Sequence, residues 1–248
     1  DYDKMMAFYK DRFANAGDFT FFFVGNLDIE AMKPLIAQYL GSLPAIDRKE
    51  SWRDNNIEYR KGNILNEYAK EQETPMATIA MMYTGKCKYT LKNNILMSML
   101  SQAFDMVFTE EIREKEGGTY GVSCAGQIEK LPREEFIMQV VYQTDPAKKD
   151  HLNGIIDKLV AQMAAEGPSE ENLAKIKEYM LKTFKDNQKE NGYWLNNLVE
   201  YYSNGIDNTK DYEAIVSGIT VKDVQEFANS LFKQGNKATI IMTVPEEN

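Results

Sequence analysis

The chain has a single histidine, His151, and that scarcity rules out more than any one motif asserts. A catalytic zinc site takes about three protein ligands, usually with two histidines among them. Neither HExxH nor HxxEH occurs in the 248 residues, so no catalytic zinc is expected on this chain. His151 lies in "KKDHLNG", a charged helix start, and reads as a solvated or capping residue. Cysteine is nearly as scarce. Cys87 and Cys124 stand far apart and form no CxxC. Each reads as a small buried hydrophobe, and a disulfide and the redox compartment stay open. No apolar run approaches the roughly 20 residues needed to cross a bilayer. No signal-peptide pattern is read in the first residues, and the first residue is Asp1 rather than Met, so a processed protein or a piece of a longer one is expected. A basic excess is missing too: 29 basic against 38 acidic residues give a net charge of −9. Nucleic-acid binding needs cations that displace counterions from phosphate, so that class is disfavoured. The balance favours solubility and a mild attraction for basic substrates.

What is present can fill a core, since 43% of residues are hydrophobic. Residues 3–15 read as a short helix. "FTFFFVGN" at 19–26 reads as a strand buried on both faces. "LDIEAMKPLIAQYLG" reads as a helix stopped by Gly41, with Pro34 kinking it or delaying its start. Residues 44–57 are polar. Strands are expected near 63–71 and 76–84. A long helix follows from Thr90, with Leu91, Ile95, Met99, Ala103, Val107 and Ile112 as its apolar stripe, stopping at Gly117–Gly118. Residues 119–128 and 135–144 alternate as paired strands. Asp145–Pro146 is an N-cap followed by a first-turn proline. Helices are expected over 148–166, 169–188, 192–203, 211–217 and 220–232, and a strand over 237–244.

The last helix–strand pair echoes the first. Phe8, Phe13, Thr20 and the run Phe21–Phe23 have the same spacing as Phe227, Phe232, Thr239 and the run Ile240–Met242. This points to an internal duplication, with coincidence between two common units as the alternative. On the duplication reading, residues 1–45 are the end of a preceding α/β repeat, 46–59 a linker, and 60–248 a complete repeat.

Most familiar chemistry fails on inspection. "GVSCAG" at 121–126 departs from GxSxG at Ala125 and sits in an alternating strand, so Ser123 reads as structural. The glycines of "EGGTYG" follow a helix, whereas phosphate-binding loops precede one. The aromatics of "NGYWLNNLVEYY" read as core or interface before a ligand platform. "REKEGGTY" at 113–120 remains, with an arginine and a tyrosine seven positions apart across a glycine turn. In the structural reading, Arg113 offsets the helix C-terminus, Gly117 terminates the helix and Tyr120 starts a strand. In the functional reading, the guanidinium fork and the phenol hydroxyl are two donors aimed at one carbonyl oxygen.

"LSQAFDMVFTEEIREKEGGTYGVSCAGQIE" resembles the C-terminal half of the pitrilysin/insulinase family of zinc peptidases, the inverzincins. The likeness is greatest to its bacterial two-repeat periplasmic members. "FYKDRFANAGDFTFFFVGNLDIEAMKPLIAQYLGSLP", "GPSEENLAKIKEYM" and "NGYWLNNLVEYY" extend the match along nearly the whole chain. The resemblance implies an α+β fold of duplicated α/β units, each with a mostly antiparallel sheet packed by helices. It implies a zinc-bearing N-terminal half, on the same chain or a partner subunit, which holds the metal and activates the attacking water. It assigns no catalytic residue to this chain. It makes Arg113 and Tyr120 a substrate-binding, transition-state clamp for a peptide substrate. The intact protein is then expected to be a zinc metalloendopeptidase, a hydrolase of peptides or small unfolded proteins, in the periplasm. The alternative is a non-catalytic scaffold domain of an inactive homologue, with Arg113 and Tyr120 as remnants.

Overall fold

A computed structural model describes residues 1–119 and 121–245. In chain order the elements are α1 (Tyr2–Arg12), α2 (Ile29–Tyr39), β1 (Asn63–Ala69), β2 (Ala77–Lys86), α3 (Leu91–Phe108), β3 (Val122–Glu129), β4 (Glu135–Thr144), α4 (Lys149–Glu166), α5 (Glu170–Asn187), α6 (Asn191–Asn204), α7 (Tyr212–Gly218), α8 (Val221–Phe232) and β5 (Lys237–Thr243). They divide into two compact units, Asp1–Asn55 with Asp186–Gly205, and Asn56–Lys185 with Ile206–Asn248.

The second unit is a five-stranded sheet in the order β1-β5-β2-β4-β3, antiparallel except for the β1–β5 pair. The expected α+β class with a mostly antiparallel, helix-packed sheet is therefore what forms. One face of the sheet is covered. Ala77, Ile79, Met81 and Tyr83 of β2 are buried, as are Phe136, Met138, Val140 and Tyr142 of β4. That alternation is the two-residue period of a strand with one face in the core. Against it lie α3, α4 and α8. The stripe on α3 buries Ile95, Met99, Leu100, Ala103, Phe104 and Phe108, with Phe104 stacked on Phe108 at 5.1 Å between ring centroids. Thr90 caps α3 by accepting from Asn93 N–H at 3.1 Å. Asp145 accepts from Ala147 N–H at 2.8 Å just ahead of α4, in the capping role its sequence signals. Cys124 is buried, Cys87 is half-buried, and both are free thiols.

The first unit departs from the reading of its sequence. Residues 19–26 are not a strand: the segment is irregular and makes no ladder among the described residues. Nor is it buried, since Phe19, Phe21 and Phe23 are exposed. A strand needs a partner edge for its backbone groups, and apolar content alone supplies none. Pro34 neither stops nor delays α2, which starts at Ile29 behind an Asp28 N-cap. Of the core-or-interface reading of the α6 aromatics only the core part is overturned: no residue of that helix is buried, and Tyr202 lies 5.4 Å from the Phe22 ring. The buried Asn15 folds residues 44–48 back on the exit of α1, donating to Arg48 O at 2.7 Å and accepting from Ile46 N–H at 3.0 Å.

Candidate functional site: the turn from α3 to β3

The turn that carries Arg113 starts from α3. After Phe108 the helix widens into a π-turn, Thr109–Lys115. Such widened turns are rare and occur often at functional sites. Sequence spacing places Ile112 on the buried stripe but carries no signal for the change of pitch. Ile112 is fully buried and Arg113, the next residue, is exposed. Among the described residues no hydrogen bond or ion pair engages the Arg113 guanidinium. Its acidic neighbours have other partners: Glu111 and Glu110 hold Lys115 at 2.6 and 3.1 Å. Those carboxylates raise the Lys115 ammonium above its ordinary range, Glu111 first.

Gly117 reverses the chain at φ +55°, a conformation that favours glycine. Gly118 N–H then donates to Ile112 O at 3.2 Å, closing the helix end. Gly118 is required for a second reason. A Cβ there would come within 2.7 Å of Leu152 Cδ1, so the turn rests directly on the buried Leu152 of α4. The buried Thr144 hydroxyl, at the end of β4, donates to Gly118 O at 2.5 Å. His151 Nε2 lies 2.9 Å from Glu116 Oε2, so the one histidine braces this turn from the start of α4. Thr119 Oγ1 donates to Gly121 O at 2.9 Å and accepts from Gly121 N–H at 3.2 Å. Tyr120 itself lies outside the described residues. Beside the turn opens a cleft of about 440 Å³, lined by Thr74, Pro75, Gly117, Gly118, Thr119 and Lys148 among others.

Sequence reasoning missed Thr144, Leu152 and Asp105. The first two act through tertiary contact and leave no local signal. Asp105 is a lone acid in the apolar run of α3, which was a signal. Its carboxylate accepts Cys124 N–H at 2.7 Å, tying α3 to β3 on the far side of the turn. Burial pushes its carboxyl above the usual range, and the Cys124 N–H opposes that shift. The thiols show no activation. Burial pushes Cys124 upward, and burial with Glu134 moves Cys87 up to about 11.

The donors do not fit a zinc ion. Among the described residues no three His, Cys, Asp or Glu side chains are grouped to hold a metal. His151 is spent on Glu116 at an exposed position, and the sequence offers no second imidazole. Among the described residues no helix is long and apolar enough to cross a membrane.

The sequence profile of the Peptidase M16 inactive domain matches residues 1–180. The chain is 24% identical over 164 residues to the probable zinc protease PqqL of Escherichia coli, covering 65% of this chain and 17% of that protein. It is 21% identical over 216 residues to the zinc protease PQQL-like of Arabidopsis thaliana, covering 82% and 23%. The chain thus spans less than a quarter of the length of these relatives. Its fold superposes on the crystal structure of the periplasmic protease PqqL from Escherichia coli with a TM-score of 0.74 at 18% identity, covering 89% of this chain and 25% of that one. A protease from Helicobacter pylori gives 0.73 at 17% identity, over 89% and 54%. With the profile matched over well more than half its length, and the fold in agreement, the chain belongs to the family of Peptidase M16 inactive domains.

Proposed function

We propose that this chain is the substrate-binding half of a two-half zinc metalloendopeptidase, whose metal is carried by an N-terminal half on the same chain or a partner subunit. The observation that carries this reading is Arg113, an exposed guanidinium without a partner among the described residues. It stands on a π-turn whose exit, Glu116–Gly118, is braced by Thr144, Leu152 and His151 and leads to the edge of a 440 Å³ cleft. A guanidinium left unpaired by its own fold is available to a ligand, and a braced turn fixes where it points. In this reading Arg113 and Tyr120 act together as donors to the carbonyl oxygen of a peptide held against the zinc half. A preorganised donor in a water-poor chamber contributes far more to the transition state than the same group in water.

Residues 1–45 then close the sheet of a preceding repeat. The exposed phenylalanines of 19–26 support this, because a strand-like apolar segment without a pairing edge suits a sheet completed by other sequence. The periplasm, where the Escherichia coli relative works, is the proposed location. The test is peptide cleavage by the intact two-half protein with Arg113→Lys and Tyr120→Phe. Loss of turnover with unchanged folding supports the clamp. Wild-type turnover in both variants would make the pair structural and favour a scaffold role.

A further inference from the structure

Gly118 is the hub of the turn. Its N–H donates to the carbonyl of Ile112, the residue before Arg113, and its C=O accepts from the Thr144 hydroxyl of β4. Tyr120 follows two positions later in the sequence. The contacts that brace this region are not equal. Leu152 sets a floor under Gly118, and a methyl contact fixes distance without direction. The His151–Glu116 pair is open to solvent, with 62% and 38% of the two side chains exposed, so water and salt screen it. The Thr144 side chain lies on the core face of β4, in line with Val140 and Tyr142, and the residue is 5% exposed. A buried bond from hydroxyl to carbonyl is directional and unscreened, and an acceptor that loses it stays unpaired. Among the described residues Thr144 is the donor that Gly118 O has. Valine has the branched shape of threonine, so volume alone does not call for a hydroxyl there.

We infer that Thr144 is a positioning residue: without touching substrate, its hydroxyl fixes Gly118 and, through it, the separation and orientation of the Arg113 and Tyr120 donors. This rests on the peptidase reading, since only there are the two a clamp. The line of contacts is short. Gly118 N–H closes onto the carbonyl that precedes Arg113, so a Gly118 that drifts takes the end of the π-turn with it. Four residues on, the chain enters β3 at Val122. Thr144 itself is held against such drift, because it is the last rung of β4 and is registered with the buried Ala77 of β2. Transition-state donors act in a fixed geometry, and a displacement of about 1 Å caused by a change away from the chemistry costs about 100-fold in rate. The loss should fall on kcat, because a loosened donor fails where charge develops more than where the ground state binds.

The test is peptide cleavage by the intact two-half protein carrying Thr144→Val, Thr144→Ser or Thr220→Ala. Thr144→Val keeps the shape and removes the donor, and is expected to lower kcat about 10- to 100-fold with KM within about twofold. Thr144→Ser restores the hydroxyl and should return most of the rate. Thr220→Ala removes a cap at the start of α8, so it serves as a control for lost stability and should leave kcat unchanged. Deuterium exchange of the 112–119 segment in the same protein should quicken in Thr144→Val and in neither of the others. In a double variant, Thr144→Val should add little to Arg113→Lys, because both act through one clamp. An impaired Arg113→Lys beside a wild-type Thr144→Val would overturn this inference and leave the clamp standing. Wild-type turnover in Arg113→Lys would overturn the clamp reading and this inference with it. Equal slowing by Thr220→Ala, unchanged exchange in Thr144→Val, no rescue by serine or a fully additive double variant would also overturn it, because Thr144 would then act on stability or by another route.

Discussion

At Gly117 the backbone lies at φ +55° with open space around the missing side chain, so only conformational strain opposes a substitution there. Gly117→Ala is expected to cost about 1 kcal/mol and Gly117→Asn less, because asparagine tolerates the left-handed region. Thermal melting of the two variants checks the ranking, and equal melting temperatures would contradict it. Gly118 differs in kind, since any side chain there must displace Leu152. The residues of the proposed clamp should behave in the opposite way. Arg113 is exposed and unpaired among the described residues, so Arg113→Lys is expected to leave melting unchanged. In the intact protein it should still impair turnover, because an ammonium cannot reproduce the planar fork. Tyr120→Phe is expected to lower kcat/KM by about 100-fold, the size seen when one transition-state donor is removed.

Among the elements, α8 shows how a helix start links to pH. Thr220 accepts Asp223 N–H at 3.2 Å, and Asp223 accepts Thr220 N–H at 2.9 Å, a reciprocal cap. Lys92 of α3 adds an ion pair at 3.0 Å. The Thr220 hydroxyl first, then its N–H and Lys92, hold the Asp223 carboxyl down at about 2, below its ordinary 3.8. A depressed carboxyl stabilises the fold above its unfolded value, and that contribution fades as pH falls through the folded one. The stabilisation is therefore full above about pH 4 and lost toward about pH 2. Asp223→Asn should flatten the stability curve in that window, which acid titration of the unfolding midpoint would reveal. Thr220→Ala should cost about 1 kcal/mol at neutral pH. That corresponds to a fall of about 2–4 °C in Tm for a chain of this size.

On the scale of the whole molecule the two units differ in what they bury. No side chain of α1, α2 or α6 is buried, whereas α3 alone buries eight. Isolated helices of 11 residues are marginal in water, and packing supplies most helix stability. Hydrogen exchange of amides in α1 and α2 is therefore expected to be orders of magnitude faster than in α3, β2 and β4. Equal protection would mean that the first unit is held by something other than burial. Joined to the rest of the intact protein, its exposed phenylalanines should gain cover and its amides protection. The chain by itself should bind no stoichiometric zinc and cleave no unstructured peptide, which metal analysis and a peptide-cleavage assay check directly.

The sequence by itself determined nearly every element of the second unit. Its strands alternate with a period of two and its helices carry stripes and caps, and both signals are local. The family resemblance was legible for the same reason, since "REKEGGTYGVSCAG" is a contiguous pattern of helix, glycine turn and strand. One apolar run misled. "FTFFFVGN" has every compositional mark of a buried strand, yet a strand exists only where another edge accepts its hydrogen bonds, and pairing is not encoded in the run itself. Tertiary structure alone decided the bracing of the turn. Thr144, Leu152 and His151 reach Gly118 and Glu116 from residues 26 to 35 positions away, through a hydroxyl, a methyl and an imidazole whose roles no spacing announces. It also decided that α3 changes pitch before Arg113 and that its Asp105 meets β3 at the Cys124 N–H, because both depend on how the helix seats against the sheet.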